Sequence, residues 1–144
     1  MEAERMNSST FTIGEVAHQS GVPAKTIRYY EEIALMPTAA RAANGYRVFD
    51  FKSVQTLRFI KRARDLGFSI EQVTELLALW HDESRTSAEV KELVSRNITE
   101  VEKKIEELRG LRDTLQTLAD RCHGDDRPDC PILKDLAFGP NLKD

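Results

Sequence analysis

The chain has 144 residues, of which 40% are hydrophobic and 31% charged, enough for one ordinary domain and an extended element but not for two full cores. No apolar run approaches the ~20 residues of a membrane-spanning helix, so no membrane partner is expected. The formal net charge of −3 hides a polarity, because Pro23 to Leu66 holds nine Lys/Arg and four Asp/Glu while the rest holds 12 and 20. A basic head on an acidic body points to a polyanion held at one end.

The opening Met1-Glu2-Ala3-Glu4-Arg5-Met6 lacks the basic-then-apolar order of a signal peptide, which points to the cytoplasm. Residues 1–9 read as a disordered leader, with Met6 a second candidate start. Two cysteines in such a chain argue against a disulfide framework and leave room for a metal or redox pair. An enzyme is not expected: the sequence shows no nucleophile–base pair and no phosphate loop, and none of its histidines has a partner nearby in sequence.

Residues 10–80 read as the head. Thr12-Ile13-Gly14-Glu15 is a capping box opening a short helix with Ile13, Val16 and Ala17 on its apolar face, and Gly21 ends it. Pro23 suits the first turn of a second helix, and helix, Gly-containing turn, helix is a helix-turn-helix layout. In that second helix Lys25, Arg28 and Tyr29 share one face, with Thr26 beside them and Ile27 and Tyr30 inward. Such a face donates to phosphates and base edges in a major groove, although a solvated basic face is the plainer alternative.

Met36-Pro37 breaks the chain before the run Arg41 to Phe49. Asn44-Gly45 is the favoured two-residue hairpin turn, so short strands should present Arg41, Tyr46 and Arg47 around a protruding wing. Charge suits a phosphate and a ring suits a sugar; the plainer reading is a hairpin with exposed charges. Asp50 can cap a third helix to about Asp65, with Val54, Leu57, Phe59 and Ile60 apolar and Arg58, Lys61, Arg62 and Arg64 outward. Gly67 stops it. Ser69-Ile70-Glu71-Gln72 is a second capping box, opening a helix that buries Val73, Leu76, Leu77 and Leu79.

Residues 81–121 read as hinge and long helix, the polar hinge beginning at Trp80 and running to Ser84. Val94, Val101, Leu108 and Leu115 recur in sevens, and Ile98, Ile105 and Ala119 lie four residues on. Arg112 interrupts that second line, and Leu111 and Leu118 carry the stripe sideways. No Pro intervenes, and Gly110 costs roughly 1 kcal/mol against Ala. From Thr86 to Arg121 the helix spans about 54 Å, too long for the core of so short a chain. A second copy of the chain is the simplest partner, giving a homodimer; the alternative is a long helix folded on its own domain.

Residues 122–144 form the tail. Gly124 and Pro128 make a loop of Cys122 to Cys130, and Pro131 to Leu136 reads as a short helix with Pro in its first turn. Cys130 then takes the N-cap, where the helix dipole favours its thiolate. Two thiolates alone suit Cu(I), Ag(I) or Au(I), which accept linear coordination. Zinc wants four ligands and would have to recruit His123 with one of Asp125, Asp126 or Asp129, or residues of a partner chain. Two buried structural thiols are the plain alternative.

Thr12-Ile13-Gly14-Glu15-Val16-Ala17, Thr26-Ile27-Arg28-Tyr29-Tyr30-Glu31, Asn44-Gly45-Tyr46-Arg47 and Arg64-Asp65-Leu66-Gly67-Phe68-Ser69-Ile70 resemble the head of the mercury-resistance-regulator (MerR) family. The similarity runs from about Thr10 to Leu136. It implies a mainly α fold: a winged helix-turn-helix head, a long antiparallel coiled-coil dimerisation helix and a C-terminal metal-binding loop with a short helix. It also implies transcriptional activation, by bending and untwisting promoter DNA whose elements are spaced too far apart for RNA polymerase. By position, Lys25, Thr26, Arg28 and Tyr29 match the recognition helix, and Arg41, Asn44, Tyr46 and Arg47 match the wing. Arg64 matches a further backbone contact.

The tail resembles the copper-efflux (CueR/HmrR-like) branch in its Gly-Asp-Asp stretch, its Asp-Cys-Pro ending and both cysteine positions. It departs in lacking a further Cys/His-rich extension after Pro131. The branch that senses divalent ions carries a third Cys near the start of the dimerisation helix, where this chain has Ser87. The resemblance thus implies one Cu(I) per subunit on Cys122 and Cys130, with Ag(I) or Au(I) as surrogates, and control of copper-efflux genes. A buried dithiolate–Cu(I) unit carries −1, which is costly uncompensated. Lys91, one turn beyond Ser87, is the expected compensation, its plainer role being an exposed lysine. A zinc or redox sensor, a small-molecule-binding regulator of the same fold and a metal-buffering protein remain as rivals.

Overall fold

The computed structural model describes residues 10–125 and 128–140. Among them are six helices and one two-stranded antiparallel sheet: α1 Ile13–Ser20, α2 Ala24–Glu32, β1 Ala40–Arg41, β2 Arg47–Val48, α3 Phe51–Asp65, α4 Ile70–His81, α5 Ser87–Arg121 and α6 Pro131–Phe138. The leader and residues 141–144 lie outside the described residues, as do Asp126 and Arg127. The chain divides into two compact units after Val94. That division falls inside α5, because Leu93 is 2% exposed and belongs to the core of the head.

In the first unit the helix starts follow local chemistry. The Thr12 hydroxyl accepts from Glu15 N–H at 3.2 Å while Glu15 accepts from Thr12 N–H at 3.1 Å. Gly21 closes α1 in the left-handed region at φ 76, its N–H donating to Ala17 O at 2.9 Å. Pro23 is the N-cap of α2 and precedes its first turn. Asp50 caps α3, accepting from Ser53 N–H at 2.9 Å, and the Ser69–Gln72 box opens α4. Val16, Ile27, Val54, Leu57, Ile60 and Val73 are fully buried at the centre. Phe49 joins them, its backbone paired with Phe11 through two N–H···O bonds of 2.8 and 2.9 Å.

The end of α2 departs from the usual chemistry. Leu35 N–H donates to Tyr30 O at 2.9 Å and Ala34 N–H to Glu31 O at 3.1 Å, the paired bonds of a Schellman motif. The left-handed position of that motif normally goes to Gly, yet Ala34 occupies it at φ 57.

The hinge is shorter than the sequence suggests. Trp80 and His81 belong to α4, and Trp80 stacks on Phe59 with ring centroids 4.6 Å apart and an interplanar angle of 4°. A tryptophan with a parallel ring to lie on prolongs its helix instead of opening a loop. Asp82 ends α4; its carboxylate accepts from the Ser84 hydroxyl at 2.6 Å and Ser84 N–H at 2.9 Å, and these bonds hold its pKa below the ordinary value. Thr86 and Glu89 form a third capping box, at 3.0 and 3.3 Å, and start α5.

In the second unit α5 continues to Arg121. Ile98, Val101, Ile105, Leu108, Leu111 and Leu115 all stay exposed, Leu108 at 64% and Leu115 at 65%, while Leu118 is buried. The short α6 follows Cys130, with Leu133, Leu136 and Phe138 exposed.

Candidate nucleic-acid interface and thiol site

Helix α2 is sharply two-sided. Ile27, Tyr30 and Glu31 are buried, while Lys25, Arg28 and Tyr29 point to solvent. Tyr29 is 49% exposed with its ring 6.0 Å from that of Tyr30, and Thr26 is half-buried beside it. Neither Lys25 nor Arg28 enters an ion pair among the described residues. The face therefore offers free cationic donors and one tyrosine ring to whatever approaches.

The wing differs in detail from the expected two-residue turn. Strands pair Ala40 with Val48 and Arg41 with Arg47. Ala42 N–H then donates to Tyr46 O and Gly45 N–H to Ala42 O, both at 2.9 Å, so the loop is the three residues Ala43-Asn44-Gly45. A type I′ turn would need positive φ at Asn44 as well, and only Gly45, at φ 85, adopts it. The Asn44 side chain accepts from Tyr46 N–H at 3.1 Å, stiffening the tip. Arg41 folds over the loop, one Nη donating to Gly45 O at 2.9 Å, and Tyr46 protrudes at 72% exposure.

Arg47 does not sit at the tip. Its Nε lies 3.1 Å from Glu31 Oε1 on α2, and the Glu31 side chain is 4% exposed. The reason is charge: a carboxylate on the inward face of α2 needs a cation, and Arg47 is the one the hairpin delivers. Arg64 also has an internal partner, one Nη donating to Phe68 O at 2.8 Å across the turn between α3 and α4, while the residue stays exposed. Glu31 and the Thr86–Glu89 box carried no role in the sequence reading. Glu31 was visible as a charge four residues after Ile27, on the apolar face of its helix; the spacing Thr-x-x-Glu marked the box.

Cys122 and Cys130 are both free thiols and half-buried. Cys122 follows α5 directly, its N–H donating to Ala119 O at 3.1 Å; Cys130 is the N-cap of α6, its carbonyl accepting from Lys134 N–H at 3.2 Å. No cluster of three or more His, Cys, Asp or Glu gathers among the described residues. His123 is exposed, and Asp126, one possible zinc ligand, lies outside the described residues. The soft donors among the described residues of this tail are the two cysteine sulfurs. Ser87 and Lys91 are exposed on the first turns of α5.

Two family profiles cover most of the chain: "MerR HTH family regulatory protein" matches residues 11–80 and "MerR, DNA binding" residues 54–118. The chain is 54% identical over 127 residues to the HTH-type transcriptional regulator HmrR of Sinorhizobium medicae (strain WSM419), covering 88% of this chain and 86% of that one. It is 41% identical to the regulator CueR of Salmonella typhimurium (strain LT2), covering 87% and 91%. Among solved structures it resembles the transcription regulator PbrR691 of Ralstonia metallidurans CH34 in complex with lead(II), at TM-score 0.76 and 32% identity over 88% of this chain and 98% of that one.

Proposed function

The chain belongs to the MerR family of transcriptional regulators, and from that premise we propose that it is a homodimeric, metal-responsive activator whose signal is monovalent copper. Silver or gold would replace copper in the same site. The observation that carries the reading is the joint presence of a solvent-facing Lys25–Arg28–Tyr29 surface on α2 and two half-buried free thiols at the ends of one short loop. The first is a surface for DNA; the second is a place for a soft ion. The solved lead(II) complex of PbrR691 means that the fold alone does not choose the metal, so the choice rests on the donors.

DNA would be held at the head. Lys25, Thr26, Arg28 and Tyr29 would enter a major groove, while Arg41, Asn44 and Tyr46 of the wing and the outward donors of Arg64 would meet the flanking backbone. Arg47 would support the wing from within. Dimerisation would bury the exposed stripe of Val94, Ile98, Val101, Ile105, Leu108 and Leu115 against a second copy, and two heads on one two-fold axis would read a palindromic site.

Cys122 and Cys130 would hold the ion as thiolates, and a bound monovalent ion would supply a cross-link between them. Cys130 stands at the second end of the loop that joins them, as the N-cap residue of α6. Ser87 and Lys91 of the partner would lie beside the loop, with the Lys91 ammonium offsetting the net negative charge. Signalling requires that the ion bind the activating arrangement more tightly than the repressing one. The activating dimer would then distort the promoter so that RNA polymerase engages it, switching on copper-efflux genes.

The test is an anaerobic Cu(I) titration against a competing chelator, on the wild type and on Cys122→Ser and Cys130→Ser, with Zn(II) in parallel. One tightly held Cu(I) per subunit, lost in both variants and undisturbed by zinc, supports the reading. Zinc binding that depends on His123 would sink the copper assignment and leave a divalent-ion sensor.

A further inference from the structure

The basic face of the head has one buried acid behind it, Glu31, and its surroundings assign it a task. Glu31 sits on α2, the helix that carries Lys25, Arg28 and Tyr29, but on the opposite face, with a side chain 4% exposed. Its two oxygens reach both sides of the hairpin. Oε2 accepts from Ala39 N–H at 2.8 Å, immediately before β1, and Oε1 lies 3.1 Å from Arg47 Nε on β2. Oε1 and that Nε are fully covered and neither has a hydrogen-bond partner among the described residues. Their attraction is ionic, with the N–H not aimed along the contact. A carboxylate so deeply covered is costly unless paired, so the hairpin is drawn onto α2 at this one point.

We propose that Glu31 is the positioning residue of the DNA-binding head: it clamps both sides of the wing to the recognition helix, and so fixes the offset between wing-tip and helix contacts. The inference rests on the DNA-binding reading of the head. Beyond this clamp the hairpin is anchored at its base, where Phe49 is buried and paired with Phe11, but its own strands are short. The strands are two residues each, and among the described residues the sheet has no third strand; two-stranded hairpins are marginal in water by themselves. The residues after α2 also pass through the strained Ala34, at φ 57. Arg41 and Arg47 pair directly across the hairpin, where like charges repel. Glu31 removes that penalty by holding one of them, leaving Arg41 to lie on the tip against Gly45 O.

The clamp gives DNA affinity a sign opposite to simple electrostatics. Removing a negative charge near a basic surface should tighten binding to a polyanion; releasing the wing should weaken it. The experiment measures affinity of the full-length dimer, across a salt series, for a duplex selected by the wild type from a random-sequence library. The proteins are wild type, Glu31→Gln, Arg47→Gln and the double variant. Glu31→Gln keeps an acceptor for Ala39 N–H and loses the ionic contact. It should bind about tenfold more weakly, with a shallower salt slope because wing–phosphate contacts are lost. The double variant should be no weaker than Glu31→Gln alone. Equal or tighter binding by Glu31→Gln overturns the clamp. So does a further loss and a slope lower by about one on adding Arg47→Gln, which would make Arg47 a phosphate contact in its own right. Should the wild type select no duplex, the DNA-binding reading itself fails. Thermal unfolding of each variant separates a loosened wing from a collapsed head: the clamp requires the cooperative transition and dimer mass to persist while affinity falls.

Discussion

Leu108 is the position at which the dimer reading can be tested with a number. It is 64% exposed on the single chain and lies on the heptad line with Val101 and Leu115. Fully burying a leucine is worth about 1.5–3 kcal/mol. About two thirds of that side chain is still available to a partner, or roughly 1–2 kcal/mol per copy on the same scale. A symmetric interface loses the contribution twice, so Leu108→Ala should weaken dimerisation by about 2–4 kcal/mol, some 30- to 1000-fold in Kd. Lys103→Ala, about 140° around the helix from Leu108, should change it by no more than about 0.5 kcal/mol. Sedimentation at nanomolar protein with fluorescence detection would measure both, and circular dichroism should show the head intact because Leu108 is outside its core. A Leu108→Ala dimer as tight as the wild type, or a wild type that stays monomeric at micromolar concentration, would refute the stripe as the dimer seam.

Ala34→Gly should stabilise the head: a Cβ in the left-handed region costs about 1–2 kcal/mol, of which the greater freedom of unfolded Gly returns part. A net gain of about 0.5–1 kcal/mol should appear as a rise of a few degrees in Tm, and an unchanged or lower Tm would contradict the strain. Trp80→Ala removes a stacked ring from Phe59 and should cost about 2–3 kcal/mol in urea unfolding; a loss under 0.5 kcal/mol would return Trp80 to the hinge. Arg41→Ala should lower the slope of log affinity against log salt by about one while leaving base preference unchanged, and an altered base preference would move Arg41 from the backbone to a groove. Cys130→Ser should abolish metal-dependent activation in a promoter fusion yet leave DNA affinity intact; loss of both would make the thiol structural.

The helical framework was legible because its signals are local. Thr12/Glu15, Asp50 and Ser69/Gln72 each satisfy free amides within three residues, so caps and the 3.6-residue period name start, stop and inward face without reference to anything distant. The exposed face of α2 and the exposed stripe of α5 follow from the same period. Three readings fell short, those of Trp80 and Arg47 for the opposite reason. Trp80 looked like the opening of a polar hinge until a ring from another helix, Phe59, lay flat on it. Asn44-Gly45 looked like a two-residue turn, but its type depends on how Ala42 and Tyr46 pair. Arg47 looked like a wing-tip cation, and Glu31 had already claimed it.

What the sequence by itself determined, then, is the order of elements, the side of each helix that faces inward, the pair of thiols and the polarity of charge. These depend on residues one or two helical turns apart. The tertiary structure alone decided which cation the buried Glu31 holds and which ring extends α4, because each depends on groups far apart in the chain that meet only when the head has packed.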